Sequence, residues 1–132
     1  MKLKDYNAFC ATLPRATHVV QWGESHVWKV GGRVFAIASL LELDEVGVTF
    51  KCSPMAFDLL KREAGLRPAP YLASRGMSWL QRVNAASMDD ATLRDYLRES
   101  HRLASLNLTK KLQRELGLNG ANGAMDKARG RA

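Results

Sequence analysis

At 132 residues and 46% hydrophobic composition, the chain fits one domain with a core that needs no metal or disulfide staple. No apolar run reaches the roughly 18 residues of a membrane span, and Asp5 and Asn7 interrupt the N-terminus where a signal peptide is apolar, so a soluble, cytoplasmic protein is expected. The net charge of +7 is uneven: residues 1–100 carry 13 Lys and Arg against 11 Asp and Glu, and residues 101–132 carry 7 against 2; such an excess supports salt-sensitive attraction to phosphate and nothing sharper.

In DYNAFCATL, Tyr6, Phe9, Cys10 and Leu13 recur at spacings of three and four, which predicts a short amphipathic helix over 5–13 ended by Pro14. THVVQW (17–22), HVWKV (26–30) and RVFAIASL (33–40) are rich in β-branched and aromatic residues and read as strands. Gly31-Gly32 between the last two supplies the positive φ angles of a two-residue hairpin turn. Alternation in the second strand sets His26, Trp28 and Val30 on one face and Val27 with Lys29 on the other. A polar turn over 42–47 leads to VTFK (48–51), a fourth strand ending at Lys51.

Ser53-Pro54 is a helix start, with Ser as the cap and Pro in the first turn. That helix is predicted to run to about Ala64, to turn Met55, Ala56, Leu59, Leu60 and Ala64 to the sheet, and to close at Gly65. The stretch GLRPAPYLASRG reads as a stiff connector carrying the chain into MSWLQRV (77–83), a fifth strand. Ser87, with an acid three residues on, is expected to cap a long last helix along Leu93, Leu97, His101, Ala104, Leu108 and Leu112, with a candidate break near Asn107. From Gly117 the Gly, Asn and Ala content cannot offset its ordering entropy. The predicted organisation is one domain over 1–116 and a flexible basic tail over 117–132.

The expected fold class is therefore α+β: a two-layer sandwich of a mainly antiparallel sheet of about five strands with three helices, in the order α-β-β-β-β-α-β-α. Cys10 and Cys52 read as buried structural cysteines. His18, His26 and His101 lack ligand spacing, so no metal and no cofactor are expected. No nucleophile elbow, phosphate-binding loop, dinucleotide fingerprint or carboxylate pair is present, and Glu24-Ser25-His26 does not make a catalytic set, because neighbours on a strand point to opposite faces. No catalytic residue is assigned and the protein is expected not to be an enzyme. The remaining chemistry is cationic: Lys29, Arg33, Lys51, Arg62, Arg67, Arg75, Arg82, Lys110, Lys111 and Arg114 would form a phosphate-binding surface if the fold gathers them. Trp22, Trp28 and Trp79 read as core residues.

WGESHVWKVGGRVFAI, VTFKCSP, GLRPAPYLASRGMSWLQRV and YLRESHRLASLNLTKK, in that order, resemble the MmcQ/YjbR family over residues 3–116. The carrying residues are Gly32 to Phe35 in the hairpin, Lys51 at the strand end, Pro68, Ala69, Tyr71, Arg75 and Trp79 in the connector and strand, and Ser100, Leu103, Lys110 and Lys111 in the last helix. The sequence departs from the family pattern at His101, where a Tyr is usual, at Arg33 and Arg75, which replace Lys, and in the additional Pro70. The resemblance implies a topology like that of type III secretion chaperones, and DNA binding through a double-wing surface. The resulting expectation is a monomeric, non-enzymatic DNA-binding protein contacting phosphates through Lys29, Arg33, Lys51, Arg67, Arg75, Lys110 and Lys111, with Tyr71, Trp79 and His101 as a candidate pocket or stacking set. The alternative is a protein-interaction or chaperone-like module.

Overall fold

A computed structural model of the protein describes residues 1–41, 45–70, 72 and 76–118. Tyr6 and Cys10, one helical turn apart, are the fully buried stripe of helix α1 (Leu3–Cys10). Strands β1 (Ala16–Gln21), β2 (Ser25–Val30), β3 (Arg33–Leu40) and β4 (Val46–Lys51) follow as an antiparallel meander. The β2–β3 turn consists of Gly31 and Gly32 at φ 55° and 82°, as a turn with both central residues left-handed requires. Ser53 accepts the N–H of Ala56 and Pro54 opens helix α2 (Pro54–Leu60). After it come β5 (Leu66–Pro68), β6 (Trp79–Arg82), α3 (Asp90–Leu106) and α4 (Lys110–Glu115). The sheet order is β1-β2-β3-β4-β6-β5, with every pairing antiparallel.

The α+β class holds, with six strands and four helices among the described residues where five and three are expected. The additional strand, β5, is the start of the connector. Arg67 pairs with Gln81 and Pro68 with Leu80, and the proline is tolerated because it ends an edge strand, where its missing N–H removes no ladder bond. The additional helix comes from the break near Asn107, which caps α3, while the Thr109 hydroxyl accepts the N–H of Leu112 to begin α4. Asp89 rather than Ser87 caps α3, accepting from Thr92 N. In α2 the packing face is Ala56, Phe57 and Leu60. Met55 and Leu59, expected to face the sheet, are 74% and 69% exposed. Leu118, placed in the tail by the sequence, is buried in the core; residues 119–132 lie outside the described residues. No helix of the described residues is long and apolar enough to cross a membrane.

The core fills one face of the sheet. Val30, Phe35, Ala36, Val48, Phe50 and Leu80 meet Leu93, Leu97 and Ala104 of α3; fully burying each large aliphatic or aromatic side chain contributes about 1.5–3 kcal/mol. Cys10 and Cys52 are both buried and in no disulfide, and burial pushes their thiols up to about 12 and about 11. Beside α1, Trp28 Nε1 donates to Asn7 Oδ1. That orients the amide so that its Nδ2 faces His26 Nδ1, toward which His18 Nε2 also points at 2.9 Å. His26 Nδ1 is therefore the acceptor of both, and the neutral ring keeps its proton on Nε2.

One irregularity shapes the opposite face. Trp28 pairs with Ala36 but Lys29 pairs with Val34, so Phe35 is an extra residue in β3, a bulge. Phe35 and Ala36 both enter the core, and the alternation resumes with Val34 and Ile37 on the side away from it. The Ser100 hydroxyl of α3 closes the gap, donating to Phe35 O (2.6 Å) and accepting from Lys51 N (2.8 Å).

Candidate functional site

On the face away from the helices the registers align side chains in rows across the strands. Val27 faces Ile37, Ile37 faces Thr49, Thr49 faces Gln81 and Gln81 faces Arg67. One row toward the β2–β3 turn, Lys29 pairs with Val34 and Lys51 with Trp79. One row the other way, the Ser25 and Ser39 hydroxyls lie 3.3 Å apart and Ser39 faces Gly47. Together with Trp22, Pro70 and Leu72, residues of these rows enclose a groove of about 860 Å³, within the range of small-molecule sites.

Local features hold the groove open. A Cβ on Gly47 would lie 3.3 Å from Gln81 Nε2, so the glycine lets the amide lie flat across β4. Gln81 Oε1 accepts from Arg67 Nε at 2.7 Å, which fixes the amide with its NH2 inward. Thr49 lines the groove and is 5% exposed, and the polar groups beside it are engaged elsewhere: Ser25 with Trp22 O and Ser39, Gln81 with Arg67. In the β1–β2 loop Trp22, Gly23 and Glu24 all take positive φ, 51°, 70° and 72°. For the two non-glycine residues this is a strained backbone, and it leaves Trp22 61% exposed at the groove's rim.

The structure sorts the cations predicted from sequence into groups. Lys29, Lys51 and Arg67 share the groove face by register. Arg33 sits at the hairpin tip, where Gly31 lies against Leu108 and Leu116 at the two ends of α4; Lys110 and Lys111 belong to that helix and are exposed. None of these six takes part in an ion pair among the described residues, whereas Lys61, Arg98 and Arg102 are paired. Arg82 departs from the surface grouping. It is buried, with its guanidinium donating to Met88 O and Asp90 Oδ1 at 2.8 Å each, so it ties β6 to the start of α3. Arg75 and Tyr71 lie outside the described residues.

Of the candidate pocket set, Trp79 and His101 are not brought together. Trp79 lines the groove, but His101 is on the helix side, edge-on to Phe35 and with its Nε2 2.7 Å from Pro14 O; a carbonyl only accepts, so this nitrogen carries the proton. Burial holds His101 below the usual histidine range despite that bond. Ser25 and His26 point to opposite faces, as strand geometry dictates, with Ser25 against Ser39 and His26 against Asn7. Sequence reasoning missed Trp22, taken as core and found exposed, and the polar floor of Ser25, Ser39, Thr49 and Gln81. The signal that could have found the floor is the polar spacing of two in Thr49 and Lys51, on strands otherwise apolar.

The YjbR family model matches residues 11–103. The chain belongs to the YjbR family. The match takes in all six strands and most of α3, and leaves Lys110 and Lys111 of α4 beyond its end. Among solved structures, the crystal structure of Deinococcus radiodurans protein DR2400, with a domain of the family model DUF419, superposes with a TM-score of 0.76 at 23% identity, covering 89% of this chain and 88% of that one. At that identity the likeness speaks for the YjbR fold alone. No curated protein matches.

Proposed function

We propose that this YjbR-family protein is a non-enzymatic DNA-binding protein whose phosphate contacts come from the groove face. The observation that carries the reading is that Lys29, Lys51 and Arg67, none ion-paired among the described residues, rise from the same sheet face as the tryptophan-walled groove. Unpaired cations beside an exposed aromatic ring combine backbone attraction with base stacking. Arg33, Lys110 and Lys111 extend the positive surface around the hairpin tip.

The test is fluorescence anisotropy with labelled DNA between 50 and 200 mM salt, on the order of the range over which counterion release is read. Three to six phosphate contacts give a slope of log affinity on log salt of about −2 to −5, and Lys51→Glu weakens binding while leaving the fold intact. Absence of binding at the lowest salt, or affinity indifferent to salt, refutes the proposal. A second reading, a protein-interaction module, draws on Met55 and Leu59, adjacent on α2 and both well exposed. It predicts that Leu59→Glu abolishes capture of a partner without touching DNA affinity.

A further inference from the structure

We infer that the groove receives an unpaired nucleobase, so that the ligand of this face is single-stranded nucleic acid rather than duplex. The inference rests on the DNA-binding reading and narrows it. A paired base presents only its groove edges to a protein, and its ring faces are covered by its neighbours in the stack. The groove offers contacts for both ring face and edge.

Trp79 forms one wall. Trp22 stands at the rim, 61% exposed in the β1–β2 loop with a left-handed backbone at φ 51°. The exposed Trp22 indole at a concave site matches the stacking platforms on which single-stranded bases lie, while Trp79, only 7% exposed, closes the wall. The floor between them is uncharged and mixed: apolar Val34 and Ile37 lie among the hydrogen-bonding Ser25, Ser39, Thr49 and Gln81, with no carboxylate and no cation among the described lining residues. The Thr49 hydroxyl can donate and accept and the Gln81 NH2 donates, which suits a base edge carrying both kinds of group, while Ser25 and Ser39 engage each other. Thr49, in the middle of that floor, adds a hydroxyl that such an edge would complete.

The charge lies where the backbone of the strand would pass. Lys51 is the cross-strand neighbour of Trp79 and Lys29 that of Val34, on strands two apart in the sheet, roughly 10 Å between them. Both flank one end of the groove, and Arg67 flanks its side through the bond to Gln81. A base in the groove therefore leaves its flanking phosphates over unpaired cations. DNA and RNA single strands share this chemistry, and the ribose hydroxyl is the feature that separates them.

The experiment titrates the full chain with a labelled oligothymidine, an oligouridine of the same length and a duplex of the same length, at one low salt concentration. Oligothymidine is expected to bind at least about tenfold more tightly than duplex. Trp22→Ala, a change at an exposed side chain, is expected to weaken single-strand binding by about 5- to 150-fold, the range for loss of one stacked base, and to weaken duplex binding by much less. Thr49→Val, which keeps the shape and removes the hydroxyl, weakens single-strand binding selectively as well. Lys51→Glu weakens both. Equal or tighter duplex binding, or indifference to Trp22→Ala and Thr49→Val while Lys51→Glu still acts, overturns the groove assignment and leaves DNA binding standing. No binding of any oligonucleotide removes both. A strong preference for oligouridine keeps the groove and overturns DNA as its ligand.

Discussion

Replacing Ser100 by Ala removes one oxygen and strands two backbone groups. The bulge at Phe35 takes its carbonyl out of the β3–β4 ladder, and the Ser100 hydroxyl, fully buried, supplies both the donor that this carbonyl needs and the acceptor that Lys51 N needs. Neither group has a substitute partner once the hydroxyl is gone. Each buried orphan costs about 1–3 kcal/mol, so Ser100→Ala is expected to destabilise by about 2–5 kcal/mol, a large part of the roughly 5–15 kcal/mol that holds a domain folded. For a chain of this size that is a fall in Tm on the order of 8–20 °C. Urea unfolding followed by circular dichroism measures it, with the slope unchanged and the midpoint lowered. Ser105→Ala is the control. Ser105 is equally buried in the same helix, but its hydroxyl donates to His101 O one turn back, and its loss orphans no strand group, so about 1 kcal/mol or less is expected. Equal losses for the two variants, or a loss below about 1 kcal/mol for Ser100→Ala, refute the claim that this hydroxyl closes the bulge.

Two glycines separate strain from collision. Gly32, at φ 82°, has nothing within 4 Å of the point a Cβ would occupy, so Gly32→Ala is expected to cost only the left-handed backbone penalty of about 1–2 kcal/mol. Gly65, at φ 80°, would also drive a Cβ against the side chain and the backbone carbonyl of Asn84, so Gly65→Ala should lose a further 1–3 kcal/mol, roughly, by thermal melting. In the pH profile, burial lowers both His101 and His18, the latter helped by its neighbour His26. Their folded values lie below the unfolded value of 6.5, so the unfolded chain takes up protons first. Stability is complete above pH 6.5 and declines as pH falls from there toward the folded values. The urea midpoint should drop between about pH 7.5 and 5.5, and His101→Gln should flatten part of the drop; a midpoint unchanged over that interval contradicts the assignment.

The elements that could be read from the sequence are those whose signal is local. Gly31-Gly32 has one purpose between two strands, and Ser53-Pro54 one purpose before a helix. Strand β5 left no trace because three residues ending in proline carry no periodicity; pairing with β6 makes them a strand. In α2, seven residues long, apolar spacing fits two faces equally, and the bulk of Phe57 decided for the one without Met55 and Leu59. The bulge was illegible for a deeper reason. Strict alternation puts Phe35 with Ile37, and only the partner strand's register, together with a serine 65 positions away, turns Phe35 to the core. The groove was half legible: Lys51 and Trp79 were identified, but the link between them is a pairing across β4 and β6. Trp22 was lost because tryptophan is ordinarily buried.

The residues that carry the family resemblance divide between the two faces of the sheet, which explains why they resist grouping into one pocket. Trp79 and the side chain of Lys51 belong to the groove face; Ser100, and the His101 next to it, belong to the helix layer beneath. Lys51 is where the two meet. Its side chain emerges on the groove face beside Trp79, while its N–H is held from below by Ser100, which at the same moment holds the bulge that sets Val34 and Ile37 on the groove face. A serine in a core helix, remote from the groove, thus positions both a cation and a wall of the site. The motif is a scaffold for the groove face as much as an inventory of its contacts.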